Sequence, residues 1–178
     1  EQLEVERDPL NGKLYTPAQP VNLSDSQTYA LEQIYELIEK PSIKTRAVLL
    51  HGVTGSGKTE VYLEAVSLCI SRGKSSLVLV PEIALTPQTI ERFSSRFPGK
   101  IAVLHSGLSV GERFDQWRKI KANEYQVVVG SRSSIFAPLN NLGLIIIDEE
   151  HEWTYKQNDG VPRYHARDVA MQLAGLTS

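Results

Sequence analysis

The chain has 178 residues, 41% of them hydrophobic, with 19 Lys and Arg against 21 Asp and Glu for a formal net charge of -2. That length suits one domain with its own core, and the balance of charge excludes binding a polyanion by bulk attraction, so any nucleic-acid contact has to be local. One cysteine, Cys69, excludes an internal disulfide and a cysteine-rich zinc site within the chain, and no apolar run reaches the length of a membrane span. A reducing, cytoplasmic setting without a membrane partner is expected, and no charged-then-apolar leader opens the chain. The only methionine is Met171, so a piece of a longer protein is expected.

Residues 1–22 are polar and interrupted by Pro9, Gly12, Pro17 and Pro20, which reads as a linker or arm. Residues 23–178 read as one domain. Tyr29, Leu31, Ile34, Tyr35 and Ile38 recur near helical spacing behind Ser24-x-x-Gln27, a capping-box pattern, and predict a helix that stops at Pro41. Short apolar runs then alternate with helical ones: a strand at "AVLLHG", a helix from Lys58, a strand at "SSLVLV", a helix from Pro87, a strand at "IAVLH" and a helix over 109–122. Strands at "QVVVG" and "LGLIIID" follow. Apolar strands alternating with helices predict an α/β fold with a buried, mostly parallel sheet and helical crossovers. On such sheets ligands sit at the carboxyl ends of the strands. Along the helix over 109–122, Val110, Phe114, Trp117 and Lys121 fall at spacings of four, three and four, which predicts that Trp117 packs in the core. Cys69 shares a helix face with Val61, Ala65 and Leu68 and is read as core as well.

Gly52-Val53-Thr54-Gly55-Ser56-Gly57-Lys58-Thr59 matches G-x-x-x-x-G-K-[ST] between an apolar run and a helix. Its glycines let backbone N–H groups crowd around phosphate oxygens at a helix N-terminus. Lys58 is placed to reach the β- and γ-phosphates, and Thr59 offers a hydroxyl to Mg²⁺. The acid such a site requires at a neighbouring strand end is Asp148, which holds the metal through its water shell, while Glu149 orients and deprotonates the attacking water. The cofactors expected are therefore ATP and Mg²⁺. Gln27 has two readings that do not exclude each other, as the third residue of a capping box or as a reader of adenine N6 and N7.

"GVTGSGKTE", "VPEIALTPQ", "HSGLS", "VVVGSRSSIFAPL", "LGLIIIDEEHE", "YKQ" and "RYHARDVA" resemble, in order and spacing, the first RecA-like motor lobe of the PriA family of bacterial primosomal replication-restart DNA helicases in superfamily 2. The resemblance covers residues 20–175, and Asp148-Glu149-Glu150-His151 looks like that family's version of the superfamily signature. It implies a RecA-like P-loop NTPase lobe in an ATP-driven 3′-to-5′ translocase that acts on abandoned forks and D-loops. It also implies partners: forked or single-stranded DNA, primosome proteins and single-strand-binding protein, in a bacterial cytoplasm close to the nucleoid.

By the same resemblance Pro81 to Gln88 match motif Ia and Gly130 to Ser134 motif Ib, which face the DNA backbone. Thr86, Gln88, Ser131, Arg132 and Ser133 supply the hydroxyl, amide and guanidinium donors used on phosphates, although each is also a plausible helix cap. The segment after the acidic tetrad resembles an aromatic-rich loop that couples DNA binding to the ATPase site through Glu150, His151, Trp153, Tyr155, Lys156 and Arg163. Trp153 and Tyr155 are expected to stack on bases while Lys156 and Arg163 pair with phosphate. A hydrophobic plug against a neighbouring domain is the alternative.

The family also has a second lobe with an arginine finger, a DNA-end-binding domain, a zinc module and a Ser-Ala-Thr motif on a further strand, none of which occurs in these residues. The lobe is therefore expected to be incomplete at its carboxyl end and to bind ATP with little hydrolysis of its own. Two rivals stand beside this reading, a duplex translocase of the RecG type and a regulatory nucleotide-binding module that never hydrolyses ATP.

Overall fold

The computed structural model describes residues 21–40, 47–158 and 160–176. The linker expected over 1–22 lies almost wholly outside the described residues. Ser24 caps α1 (Asp25–Glu39): its side chain accepts from Gln27 N, and the Gln27 side chain accepts from the Ser24 amide at 2.8 Å. The capping box predicted from Ser24-x-x-Gln27 is thus formed in full. Beyond it come α2 (Lys58–Ser71), β1 (Ser75–Leu79), α3 (Pro87–Arg96), β2 (Ile101–Leu104), α4 (Val110–Lys121), β3 (Val127–Gly130), β4 (Leu142–Ile147) and α5 (Ala166–Leu176).

The four strands form one parallel sheet in the order β2-β3-β1-β4. The expected α/β architecture with a mostly parallel sheet is borne out. Each strand alternates its apolar side chains between two cores. Leu77 and Leu79 face Ala102, Leu104, Val128 and Ile120 on the side of α4 and α5. Val78 and Val80 face Tyr62, Val66, Phe93 and Phe97 on the side of α2 and α3. Cys69, on α2 with Val61 and Ala65, is fully buried as expected.

Two expectations fail. The apolar run "AVLLHG" is not a strand: its described residues join no ladder, and Leu49 is exposed while Leu50 only leans on the core. Hydrophobicity supplies faces, but a strand also needs a paired edge, and no described strand flanks this run. Among the described strands none pairs with the outer edge of β4, and β4 is partly buried except at Ile146.

The second failure is α4. Its inward face carries Asp115, Gln116 and Ile120, whereas Val110, Phe114 and Trp117 are exposed. The apolar stripe exists, but the neighbouring stripe of Asp115, Gln116 and Ile120 faces the sheet, since spacing sets which residues share a face and not the direction that face takes.

The contrast is measurable by urea unfolding of the chain. Ile120→Ala, at a site with no exposed surface, should cost about 2–5 kcal/mol. Phe114→Ala, 67% exposed, should stay within about 0.5 kcal/mol of wild type.

Candidate nucleotide site and its coupling loop

The P-loop closes through Ser56 N, which donates to Val53 O at 3.1 Å. Gly57 caps α2 with φ 79, and a Cβ there would lie 2.3 Å from Gln27 Nε2. Glycine answers both constraints. Gln27 occupies this position because its Nε2 donates to Ser56 O at 2.9 Å while its Oε1 serves the α1 cap. One side chain thus ties the first helix to the phosphate loop. Lys58 opens α2 and folds its Nζ back onto the Gly52 carbonyl at 2.7 Å and the Val53 carbonyl at 3.5 Å. Thr59 borders a cavity of about 430 Å³ together with Tyr62, Gln88, Arg92 and Asp148.

Asp148 follows β4 directly, and its amide donates to Leu79 O at 2.9 Å. Its carboxylate accepts from the Tyr62 hydroxyl at 3.1 Å. Burial raises the Asp148 pKa, a push that the Tyr62 hydrogen bond opposes and the Glu149 charge reinforces. Burial and the Asp148 charge in turn push the Tyr62 hydroxyl well above its ordinary value. The cavity thus presents one carboxylate, Asp148, beside the hydroxyls of Thr59, Tyr62 and Thr89, and the described residues hold no group of three His, Cys, Asp or Glu side chains that could hold a metal ion. Such a sparse, hard-oxygen set fits Mg²⁺, which keeps several waters and takes its remaining ligands from phosphate. When bound there the ion would neutralise charge on the phosphates.

Glu149 has φ 46, in the left-handed region. Its Oε1 lies 3.7 Å from Lys58 Nζ and its Oε2 3.8 Å from His151 Nε2, the latter an ion pair only when the imidazole is protonated. The backbone strain costs about 1–3 kcal/mol, whereas an ion pair on a 40% exposed carboxylate contributes about 0–1 kcal/mol. The Lys58 contact therefore does not hold Glu149 in this conformation. The turn that does so is closed by Glu152 N on Glu149 O at 2.9 Å. Glu150 points elsewhere and accepts from Arg167 Nη1 at 3.2 Å.

The coupling segment divides into exposed and buried parts. Trp153 is 75% exposed, and His151, Lys156 and Arg163 are exposed with it. Tyr155, expected to stack on a base, is instead 1% exposed, and its ring belongs to the core below α5. Its hydroxyl lies 2.7 Å from the Asp148 carbonyl and 3.1 Å from the Leu79 carbonyl. Burial pushes its pKa up, with the Asp148 charge second.

Arg132, expected to meet phosphate, also turns inward. Its Nη1 donates to Thr154 O at 3.1 Å and Lys156 O at 2.8 Å. A guanidinium serves a backbone carbonyl as readily as a phosphate oxygen. Among the other residues expected to face DNA, Thr86 caps α3 by accepting from Thr89 N, Gln88 is exposed beside the Asp148 cavity, Ser131 is buried and Ser133 is exposed.

Sequence reasoning missed Tyr62 and Arg167. Tyr62 could have been found, because it follows Lys58 by one helical turn and so shares its face. No pattern along the chain signalled the Arg167 contact with Glu150.

A phosphate loop at a helix N-terminus, facing an acidic pair at the end of a parallel strand, defines a RecA-like P-loop nucleotide-binding lobe. The family model described as "Type III restriction enzyme, res subunit" matches residues 20–176. The chain belongs to this family of helicase-type ATPases, whose chemistry uses a nucleotide and Mg²⁺. It is 53% identical over 171 residues to the replication restart protein PriA of Bacillus subtilis, covering 96% of this chain and 21% of that protein. With the Synechocystis PriA it shares 59% identity over 129 residues, covering 72% of this chain and 16% of the relative. With that of Chlamydia pneumoniae it shares 44% over 175 residues, covering 98% and 23%. The resemblance read from the motifs is thus borne out, and the chain spans about a fifth of the length of these relatives. No described helix is long and apolar enough to cross a membrane.

The electrostatics of Asp148 give a test. Its folded pKa lies above the ordinary 3.8, so folding favours the protonated form and ionisation opposes folding. Stability from this group is present below 3.8 and is lost as pH rises through the raised folded value. Asp148→Asn should therefore melt above the wild-type chain at pH 7 without Mg²⁺, and the gap should close as the pH falls toward 3.8. Thermal melts across that range check it.

Proposed function

We propose that the chain is the ATP-binding and hydrolysing lobe of a 3′-to-5′ DNA helicase that remodels stalled replication forks and D-loops for primosome loading. The observation that carries this reading is the placement of Thr59 and Asp148 on one cavity, with their chain neighbours Lys58 and Glu149 paired at 3.7 Å, in a chain about half identical to PriA proteins. The P-loop amides of residues 52–57 cradle the phosphates of ATP, and Lys58 exchanges its Gly52 and Glu149 contacts for phosphate oxygens. Thr59 and Asp148 serve Mg²⁺. Glu149 acts on the attacking water as general base. Gln27 reads adenine by giving up its bond to Ser56 O, and its capping role persists through Oε1.

DNA meets the lobe at the exposed surface beyond the strand ends. Trp153 stacks on a base, Lys156 and Arg163 pair with phosphate, and Thr86, Gln88 and Ser133 line the track, with the buried Ser131 behind Ser133 in the chain and Glu150 and His151 at the root of the loop. The partners are forked or single-stranded DNA, primosome proteins and single-strand-binding protein in a bacterial cytoplasm near the nucleoid. A Ser-Ala-Thr strand would add to the free edge of β4. Hydrolysis by the lobe alone stays low, since an arginine finger from elsewhere is worth about 10³–10⁵ in rate.

The test is ATP hydrolysis by the longer protein without DNA, with linear duplex, and with a fork bearing a 3′ leading-strand end. Fork DNA should stimulate most; equal stimulation by duplex would indicate a general translocase, and none a nucleotide sensor. In the same assay Glu149→Gln should lower kcat by about 10²–10⁴ with nucleotide binding retained, and Lys58→Ala should lose nucleotide binding.

A further inference from the structure

α2 carries two hydroxyls to the cavity, Thr59 in its first turn and Tyr62 three residues on, so both lie on one helix face. Asp148 meets them from the end of β4, and the Tyr62 hydroxyl donates to its Oδ1 at 3.1 Å. An ionised carboxylate only accepts, so the two groups themselves set the direction of this bond.

The bond reaches Asp148 where the sheet does not hold it. The ladder fixes the Asp148 backbone through its amide on Leu79 O at 2.9 Å, but a bond at the amide leaves the side-chain torsions unset. Tyr62 supplies a second point. Its ring is 9% exposed and belongs to the core with Val78, Val80 and Phe93, so the hydroxyl is itself held in place.

Packing does not account for the hydroxyl. A phenylalanine would fill the same core position without bringing an oxygen to a carboxylate 86 residues away in the chain. Because Tyr62 and Thr59 stand one helical turn apart, the bond also ties the carboxylate to the helix that carries Thr59. Mg²⁺ demands near-octahedral geometry and gives up its waters reluctantly. An acceptor oriented in advance therefore engages its shell at a smaller ordering cost than one that swings freely.

We propose that Tyr62 is a positioning residue of the nucleotide site, holding the Asp148 carboxylate in register with Thr59 for the water shell of Mg²⁺. This rests on the reading of Thr59 and Asp148 as the groups that serve the ion. Tyr62 acts through Asp148 and touches neither metal nor phosphate.

The experiment titrates a non-hydrolysable fluorescent ATP analogue into the full-length protein, in excess EDTA and over a range of Mg²⁺, for wild type, Tyr62→Phe, Asp148→Asn and the double variant. Melting temperatures are taken alongside. Mg²⁺ should tighten binding to wild type, and Asp148→Asn should lose that gain. Tyr62→Phe should keep the wild-type affinity in EDTA but need about ten times more Mg²⁺ for the same gain, the lower end of the cost of losing a bond that orients a metal ligand. In the Asp148→Asn background Tyr62→Phe should add nothing. A residue needed only for packing would lower the melting temperature and leave the Mg²⁺ requirement alone.

A folded Tyr62→Phe protein with the wild-type Mg²⁺ requirement overturns the proposal, as does an equal further loss in the double variant. If Tyr62→Phe does not fold, Tyr62→4-methylphenylalanine, which fills the hydroxyl's space without a donor, decides in the same way. Wild-type affinity that is indifferent to Mg²⁺, or an Asp148→Asn protein that keeps the gain, overturns the metal reading itself and the proposal with it, so the two failures are distinct.

Discussion

The site depends on the last rung of the β1–β4 ladder, where the Asp148 amide donates to the Leu79 carbonyl. β1 is flanked on both sides, and its register sets Leu79 level with Gly130 of β3 and Ile147 of β4, and through β3 with Leu104 of β2. Both residues that leave these strands for the site, Asp148 after β4 and Val80 after β1, therefore start from one common level. A parallel sheet makes this possible because all its carboxyl ends lie on one side. A one-residue slip of β4 would turn Asp148 from the cavity, since successive side chains point to opposite faces.

What was legible in the sequence follows from this geometry. The P-loop and the Asp148-Glu149 pair were readable because each is local: the backbone conformation and the chemistry are specified by adjacent residues. The α1 capping box was readable for the same reason. The fates of Tyr155 and Arg132 were not, because a side chain's type says which bonds it can make and not which partner the fold brings within reach. Tyr155 looked like a stacking aromatic and Arg132 like a phosphate ligand, yet both serve backbone carbonyls. The apolar run over 47–52 failed as a strand on a similar ground, since the pairing that makes a strand depends on a neighbour remote in sequence.

Trp117 shows the limit of periodicity as an argument. Spacing identifies a stripe but not the direction it faces, and α4 turns Asp115 and Gln116 inward at its middle. Both residues have interactions of their own, which offset part of the cost of turning a polar stripe toward the sheet. The apolar stripe of Val110, Phe114 and Trp117 then remains on the surface by default.

The resting arrangement of the site has a consequence for the order of events. Lys58 is engaged by the Gly52 carbonyl and by Glu149, so on the proposed roles the residue that grips phosphate and the residue that activates water neutralise each other. A triphosphate carries several charges where Glu149 offers one, and its attraction for the ammonium is correspondingly greater. On the proposed binding mode its arrival would take Lys58 away from Glu149, whose residue sits in a left-handed turn with a weak contact to His151. On that reading nucleotide binding removes only a weak contact, and the backbone of Glu149 stays where the turn closed by Glu152 N on Glu149 O already holds it.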